Sequence, residues 1–212
     1  MVNSQVLRVK EKSPILEIAE YGPITFDKKL SRKEFMEFAE RYPELIMERE
    51  KNGKTTIMSP VKFDSGFRES IISAYLGKWW LETRQGKIFS ASTGIALRDT
   101  SIKSPDCGWV SDERFSKIPE GEADGNYLQV APDFIVEIRS RSDSMTKLRK
   151  KMVNSWIKNG VRLAWLIEPY KERVFIYRED KDIEELKGFD DKMLSGENVV
   201  PNFKMPLSEM KI

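Results

Sequence analysis

The spacing of apolar and polar residues predicts three helices. Ser31 and Glu34 have the spacing of a capping box and precede apolar residues at helical intervals, so we expect a helix ending near Tyr42. Residues 65–84 carry a broad apolar stripe with a helical period, which predicts a long helix with a wide buried face. A third amphipathic helix is expected up to the glycine that follows residue 159, with residues 140–143 supplying its N-terminal caps.

The remaining apolar segments predict strands. Residues 44–50 and 54–59 flank Asn52–Gly53, a strong signal for a β-hairpin. Further segments predict two short strands around residues 92–94, a strand at 104–110 with a helical turn at 111–115, strands at 161–169 and 173–179, and one or two edge strands after residue 183. Residues 117–129 are rich in Gly, Pro and acids and are expected to form an exposed loop. This order predicts a mixed sheet flanked by helices.

One predicted strand carries an acid where the pattern requires an apolar residue. Residues 134–138 are apolar except for Glu137, and a charge in a buried strand is costly unless it is paired or coordinated. Six cations follow within thirteen residues, namely Arg139, Arg141, Lys147, Arg149, Lys150 and Lys151. An acid at a buried strand end, followed by a cationic helix, is suited to hold a divalent metal and meet a phosphate.

Composition narrows the possible chemistry. The 212 residues suffice for one core, and no apolar run approaches the roughly 20 residues that a membrane span needs. The first residues lack the apolar segment of a secretory signal, and Cys107 alone cannot form an intrachain disulfide, so a cytoplasmic location is expected. The absence of histidine excludes His-based nucleophile systems and His-ligated zinc. A net charge of +2 does not by itself indicate nucleic-acid binding.

Three carboxylates are candidates for a metal site: Glu69, Asp106 and Glu137. Mg²⁺ prefers one or two carboxylates with water and phosphate oxygens, and it does not require histidine. Each of the first two also has a structural interpretation, because Glu69 could be a solvated acid near a helix start and Asp106 a turn acid after a proline. Lys150 and Lys151 could point back from the following helix to orient water.

Four blocks in a fixed order resemble a known family. The segments GKIFSASTG, SPDCGWVSDERF, PDFIVEIRSRSDSMTKL and NGVRLAWLIEP with VFIYR are similar to the Uma-two family of restriction endonucleases, in the PD-(D/E)xK nuclease superfamily. The similarity runs from about residue 65 to residue 205, and the first 60 residues match only loosely. The resemblance implies a restriction-endonuclease-like α/β/α core with a mixed central sheet. It also implies that Asp106 and Glu137 form the metal-binding pair.

The chain departs from the superfamily pattern at the lysine. That residue normally lies two positions after the acid, where this sequence has Arg139. The resemblance implies that the lysine has moved to the next helix, and counting forward from Glu137 gives Lys151, with Lys150 in reserve. Counting backward from Gly160 gives Met152, which indicates one inserted residue between Lys151 and the following tryptophan.

Two neighbouring charges have structural interpretations. Asp133 lies four residues before Glu137, about 13 Å away at strand rise, so it is too far to share a metal and is interpreted as structural. Arg139 lies on the same face of the strand as Glu137 and could pair with it, which would give a buried ion pair and no metal site. The tryptophans at positions 79, 80, 156 and 165 are expected in the core.

The hypothesis is a metal-dependent endonuclease that hydrolyses DNA. Asp106 and Glu137 would hold Mg²⁺ or Mn²⁺, Lys151 would assist the water, Glu69 would be an outer carboxylate, and Arg139, Arg141, Lys147, Arg149 and Lys150 would contact phosphates. The alternatives are a catalytically silent nucleic-acid-binding module and a metal-dependent phosphodiesterase acting on RNA or nucleotides. A homodimer is expected if both strands are cut. Residues 1–60 are expected to form an arm, helix and hairpin packed on a nuclease domain at 61–212.

Overall fold

The computed structural model describes residues 22–120 and 127–212. The helices are α1 (Arg32–Arg41), α2 (Phe63–Thr83), α3 (Asp112–Phe115) and α4 (Met145–Lys151). A π-helical turn (Met152–Trp156) and a 3-10 turn (Ile157–Asn159) continue α4, and further 3-10 turns cover Pro169–Lys171 and Leu207–Met210. The strands are β1 (Ile24–Thr25), β2 (Met47–Arg49), β3 (Thr55–Ile57), β4 (Lys87–Ser90), β5 (Ile95–Ala96), β6 (Ile102–Lys103), β7 (Cys107–Val110), β8 (Phe134–Ile138), β9 (Leu163–Glu168), β10 (Arg173–Arg178), β11 (Glu184–Lys187), β12 (Met193–Ser195) and β13 (Lys204–Pro206).

A six-stranded mixed sheet forms the centre of the molecule. Its order is β11-β10-β9-β8-β7-β4, in which β8 and β9 are parallel and the other neighbours are antiparallel. Because side chains alternate along a strand, Phe134 and Val136 of β8 pack with α2, whereas Ile135 packs with Trp156 on the opposite face. The predicted α/β/α arrangement with a mixed central sheet is confirmed.

A second sheet, of order β1-β3-β2-β6-β5, joins the N-terminal hairpin to later strands. The predicted hairpin is confirmed: Gly53 has a φ of 88° and approaches the backbone of Leu30 too closely for a side chain. Strand β2 pairs with β6, and β6 is separated from β7 of the central sheet by only the three residues 104–106. The proposed boundary near residue 60 stays a prediction, although hydrogen bonds of this sheet cross it.

The predicted N-terminal cap is correct for helix α1 and wrong for helix α4. Ser31 and Glu34 form the predicted capping box at α1. At α4 the prediction was wrong, because the N-cap is Ser144, the residue after the predicted segment. Asp143 is unavailable because its carboxylate accepts a hydrogen bond from the Ser140 N–H at 2.8 Å and closes the preceding turn.

The two strands predicted around residues 92–94 are present, but β4 joins the central sheet and β5 the second sheet. Strand β11 forms the predicted edge, while β12 and β13 pair only with each other. The tryptophans lie in the core as predicted, although Trp80 is only partly buried.

Parts of the predicted arm and of the loop at 117–129 lie outside the described residues, at positions 1–21 and 121–126. Across the described ranges, no helix has the length and apolar character needed to cross a membrane.

Candidate active site

Asp106 and Glu137 meet at the C-terminal end of β8. Glu137 is buried in the strand, on the face that α4 covers. Asp106 lies just before β7 and brackets Glu137 from the neighbouring strand: its N–H donates to the Val136 carbonyl at 3.0 Å, and its Oδ2 accepts from the Ile138 N–H at 2.5 Å. These two hydrogen bonds, to the residues on either side of Glu137, therefore hold Asp106 next to Glu137.

The pair of carboxylates lies in a negative, desolvated environment. Burial raises the pKa of Asp106 well above its usual value, and the charges of Glu137 and Glu69 raise it further. Burial also raises the pKa of Glu137, although Lys151 partly offsets this effect. Glu69 of α2 is half-buried and its pKa is raised by desolvation. Its charge is one of the causes that raise the pKa of Asp106.

Lys151 reaches the site from the end of α4. Its Nζ lies 2.9 Å from Oε1 of Glu137 and 2.9 Å from Oε1 of Glu48, and it donates to the Ser104 carbonyl at 3.4 Å. Burial by itself would lower the pKa of Lys151, but the two carboxylates outweigh it and raise the pKa. The adjacent Lys150 is exposed. The structure therefore brings together Lys151, the first choice from sequence, with Glu137.

Glu48 of β2 belongs to this group of charges and was missed by the sequence analysis. Its carboxylate accepts from the Ser104 N–H at 3.2 Å and pairs with Lys151 and with the buried Lys103, whose Nζ lies 3.2 Å from Oε2. Burial opposes ionisation of Glu48, but the two lysines lower its pKa to about 2. A single acid in a hairpin strand resembles a solvated surface residue, so the sequence offered no distinguishing signal.

Arg139 is bound elsewhere and does not pair with Glu137. Its NH1 lies 2.7 Å from Oε1 of Glu168, a buried carboxylate that also binds Arg173. The alternative of an Arg139–Glu137 ion pair is therefore wrong, because the side chain turns to the neighbouring strand β9. The interpretation of Asp133 as structural agrees with its position, since it is buried and paired with two arginines.

The other predicted phosphate-contacting residues differ in position around α4. Lys147 lies one turn before Lys151, about 40° away around the helix, and is exposed. Arg149 lies about 200° from Lys151, with its guanidinium 4.3 Å from the ring centroid of Phe175. Arg141 precedes the helix and is exposed, 4.6 Å from the ring centroid of Tyr170. Lys147 therefore lies on the Lys151 side of the helix, whereas Arg141 lies beside Asp64 and Tyr170.

The residues fit a hard divalent cation. In residues 22–120 and 127–212, no three Cys, Asp or Glu side chains form a ready cluster of metal ligands. Mg²⁺ and Mn²⁺ nevertheless need only one or two carboxylates, with water and phosphate filling the other positions. No described residue donates a hydrogen bond to Oδ1 of Asp106 or Oε2 of Glu137, which leaves one oxygen on each carboxylate for a metal. A cation would also offset the burial and the neighbouring negative charges that raise the pKa of both groups.

Comparisons with known proteins agree with the fold and with the family resemblance. Residues 32–208 match the model of the Uma2 family, described as "Putative restriction endonuclease". A crystal structure described as "a putative nuclease belonging to DUF820 from Anabaena variabilis ATCC 29413" aligns with a TM-score of 0.70 and 21% identity, covering 85% of this chain and 97% of that chain. No curated protein matches the sequence. The family match includes α1 and the β2–β3 hairpin, which the sequence analysis had matched only loosely. The chain belongs to the Uma2 family.

Proposed function

We propose that this protein is a Mg²⁺- or Mn²⁺-dependent endonuclease that hydrolyses phosphodiester bonds in DNA, acting in the cytoplasm. The observation that carries the proposal is the position of Lys151, whose Nζ lies 2.9 Å from Glu137 beside Asp106. Two carboxylates and a lysine are the groups that the superfamily pattern requires, and here the lysine comes from a helix. The family match and the nuclease-like fold support this assignment.

A bound divalent ion would lower the pKa of a water molecule and neutralise charge on the phosphate under attack. Asp106 and Glu137 would hold the ion through their free oxygens. Lys151 remains protonated at neutral pH because its pKa is raised, so it acts as a hydrogen-bond donor and not as a base. It can therefore orient the attacking water or stabilise a phosphate oxygen. Glu69 adds negative charge beside Asp106 and is proposed as the outer carboxylate.

The substrate would enter beside the exposed cations. Arg141 and Lys147 are proposed to contact phosphates, with Lys150 at the edge of this surface. Arg139 has less capacity to do so because its guanidinium is bound to Glu168. Two-strand cleavage by a chain with one such site would require a pair of protomers, so we propose a two-fold dimer. A monomer by light scattering at working concentration would instead support nicking.

The test is incubation of the pure protein with supercoiled plasmid and with single- and double-stranded oligonucleotides of DNA and RNA, with Mg²⁺, Mn²⁺ or EDTA. We expect cleavage of DNA with either metal and none with EDTA. Cleavage of RNA alone would support the phosphodiesterase alternative, whereas metal-independent DNA binding without cleavage would support a silent binding module.

Matched variants separate the site from general damage. Lys151→Met should abolish cleavage, whereas Lys78→Met, which alters an exposed lysine on α2, should leave it unchanged. Thermal unfolding would confirm that both variants are folded. Full cleavage by Lys151→Met would contradict the proposed active site.

A further inference from the structure

The helix that delivers Lys151 changes its winding immediately after that residue. The Ile157 N–H donates to the Met152 carbonyl, an i to i+5 bond that defines a π-helical turn over residues 152–156. Such turns are rare, usually occupy a single turn within an α-helix, and are frequent at functional sites. This turn lies between Lys151 and Gly160, where counting forward from Glu137 and backward from Gly160 differ by one residue.

The π-turn brings two side chains to one atom. Residues advance about 100° each in an α-helix, so Lys151 and Trp156 would lie about 140° apart. Within a π-turn, five residues complete roughly one turn and the two side chains lie on nearly the same side. Trp156 Nε1 is 2.7 Å and Lys151 Nζ is 2.9 Å from the same atom, Oε1 of Glu137.

We propose that Trp156 is a positioning residue that, together with Lys151, fixes Oε1 of Glu137 so that Oε2 faces the metal. This inference rests on the proposed function. The indole N–H can only donate, so this bond favours the carboxylate form of Glu137. Trp156 is fully buried against Ile135 and Ala164, so its ring has little freedom to release the carboxylate. Partners of this kind orient a metal ligand without touching the metal.

A simpler explanation would be that a buried indole needs any available acceptor. Trp165, on the adjacent strand β9, argues against it, because its ring is also fully buried and its Nε1 has no hydrogen-bond partner among the described residues. Burial in the core on the other face of the sheet therefore does not by itself give an indole a partner among the described residues. The Trp156–Glu137 bond goes together with the π-turn, which brings Trp156 to the same side as Lys151.

The two tryptophans provide a matched pair of variants. Trp156→Phe removes the N–H and keeps most of the ring, and Trp165→Phe makes the same change where no bond exists. We expect Trp156→Phe to weaken Mn²⁺ binding, measured by titration calorimetry, by about 10- to 100-fold. Trp165→Phe should change the affinity by less than about threefold. Equal losses in both variants, or unchanged affinity in Trp156→Phe, would overturn the proposal.

A second measurement tests the bond without metal or substrate. In protein labelled with ¹⁵N-tryptophan, the indole N–H resonance of Trp156 should move in Glu137→Gln, while that of Trp165 should not. No movement would overturn the proposal, whatever the catalytic result. If Mn²⁺ binding depends on Trp156 but no nucleic acid is cleaved, the positioning role stands and the proposed nuclease function fails.

Discussion

The two ends of strand β8 each carry a buried acid, but their surroundings are opposite. Asp133 accepts from the Ser111 N–H at 2.8 Å and pairs with Arg114 at 3.1 Å and Arg162 at 3.3 Å. Glu137, four residues later, shares its lysine with Glu48 and adjoins Asp106. Asp133 is therefore neutralised by two arginine charges, whereas Glu137 shares the single charge of Lys151 with Glu48. A buried acid is therefore a better functional candidate when its neighbours leave it undercompensated.

The largest expected effect of this difference is on cleavage. Glu137→Gln and Asp106→Asn should lower the cleavage rate at least about a thousandfold, because a bound metal supplies several kcal/mol of transition-state stabilisation. Asp133→Asn should leave the rate of the folded fraction within about threefold. Single-turnover assays normalised to folded protein measure both. Equal losses at the two ends would remove the contrast.

The free energy of unfolding should respond in the opposite order, with the larger loss from the substitution at Asp133. Asp133→Asn leaves Arg114 and Arg162 without their carboxylate, and we expect the free energy of unfolding to fall by about 2 kcal/mol. This is less than the roughly 3–5 kcal/mol of a fully buried pair, because both arginines are partly exposed. Glu137→Gln should be close to wild type. Urea unfolding monitored by fluorescence gives both values, and a larger loss for Glu137→Gln would contradict the assignment.

Glu48 provides a further test of the surroundings of Glu137, because both carboxylates pair with Lys151. Glu48→Gln should reduce the cleavage rate about 10- to 100-fold, since Lys151 loses one of the two carboxylates that fix its position. The matched control is Glu50→Gln, two residues along the chain, which removes a half-exposed partner of Lys103 but no contact to Lys151. Similar losses in both variants would indicate general disruption of the second sheet.

The cations after Glu137 can also be compared by their position. Replacing Arg141 and Lys147 with alanine should lower the log–log salt dependence of duplex binding by about two, at roughly 0.9 for each phosphate contact. Arg149→Ala, which alters a cation about 200° around the helix from Lys151, should change the slope by less than half a unit. Binding is measured across salt with Ca²⁺ replacing Mg²⁺ to block cleavage. An unchanged slope in the double variant would place the DNA elsewhere.

The smallest effect is on pH-dependent stability in EDTA. The pKa of Asp106 is raised in the folded state, so the folded protein binds more protons than the unfolded chain between the two values, and stability falls as pH rises through that interval. Asp106→Asn should flatten this decline. Glu48 acts oppositely, because its folded pKa is about 2 and its contribution is lost as pH falls below 4.5. Urea midpoints from pH 4 to 7 test the first effect, and an unchanged pH profile in Asp106→Asn would contradict it.

Local patterns predicted the fold because they depend on neighbours in the sequence. The capping box at Ser31, the Asn52–Gly53 turn and the apolar strand around Glu137 are all readable within a few residues. The residue pattern gave the candidate carboxylates and lysines, and the family resemblance implied the choice of Asp106, Glu137 and Lys151. Glu48 could not be found in this way, because it meets Lys151 across 103 positions of sequence. The partner of Arg139 was likewise set by packing, since Glu168 lies 29 positions away on the next strand.

The three-residue connection between β6 and β7 has a consequence for how this fold can vary. Residues 104–106 join the two sheets, and Asp106 is the last of them. One added residue can displace the chain by up to about 3.5 Å, which exceeds the roughly 2.1 Å from Mg²⁺ to each of its ligand oxygens. The length of this connection therefore sets where Asp106 lies relative to Glu137, and an insertion in it would separate the two carboxylates even if both sheets kept their fold.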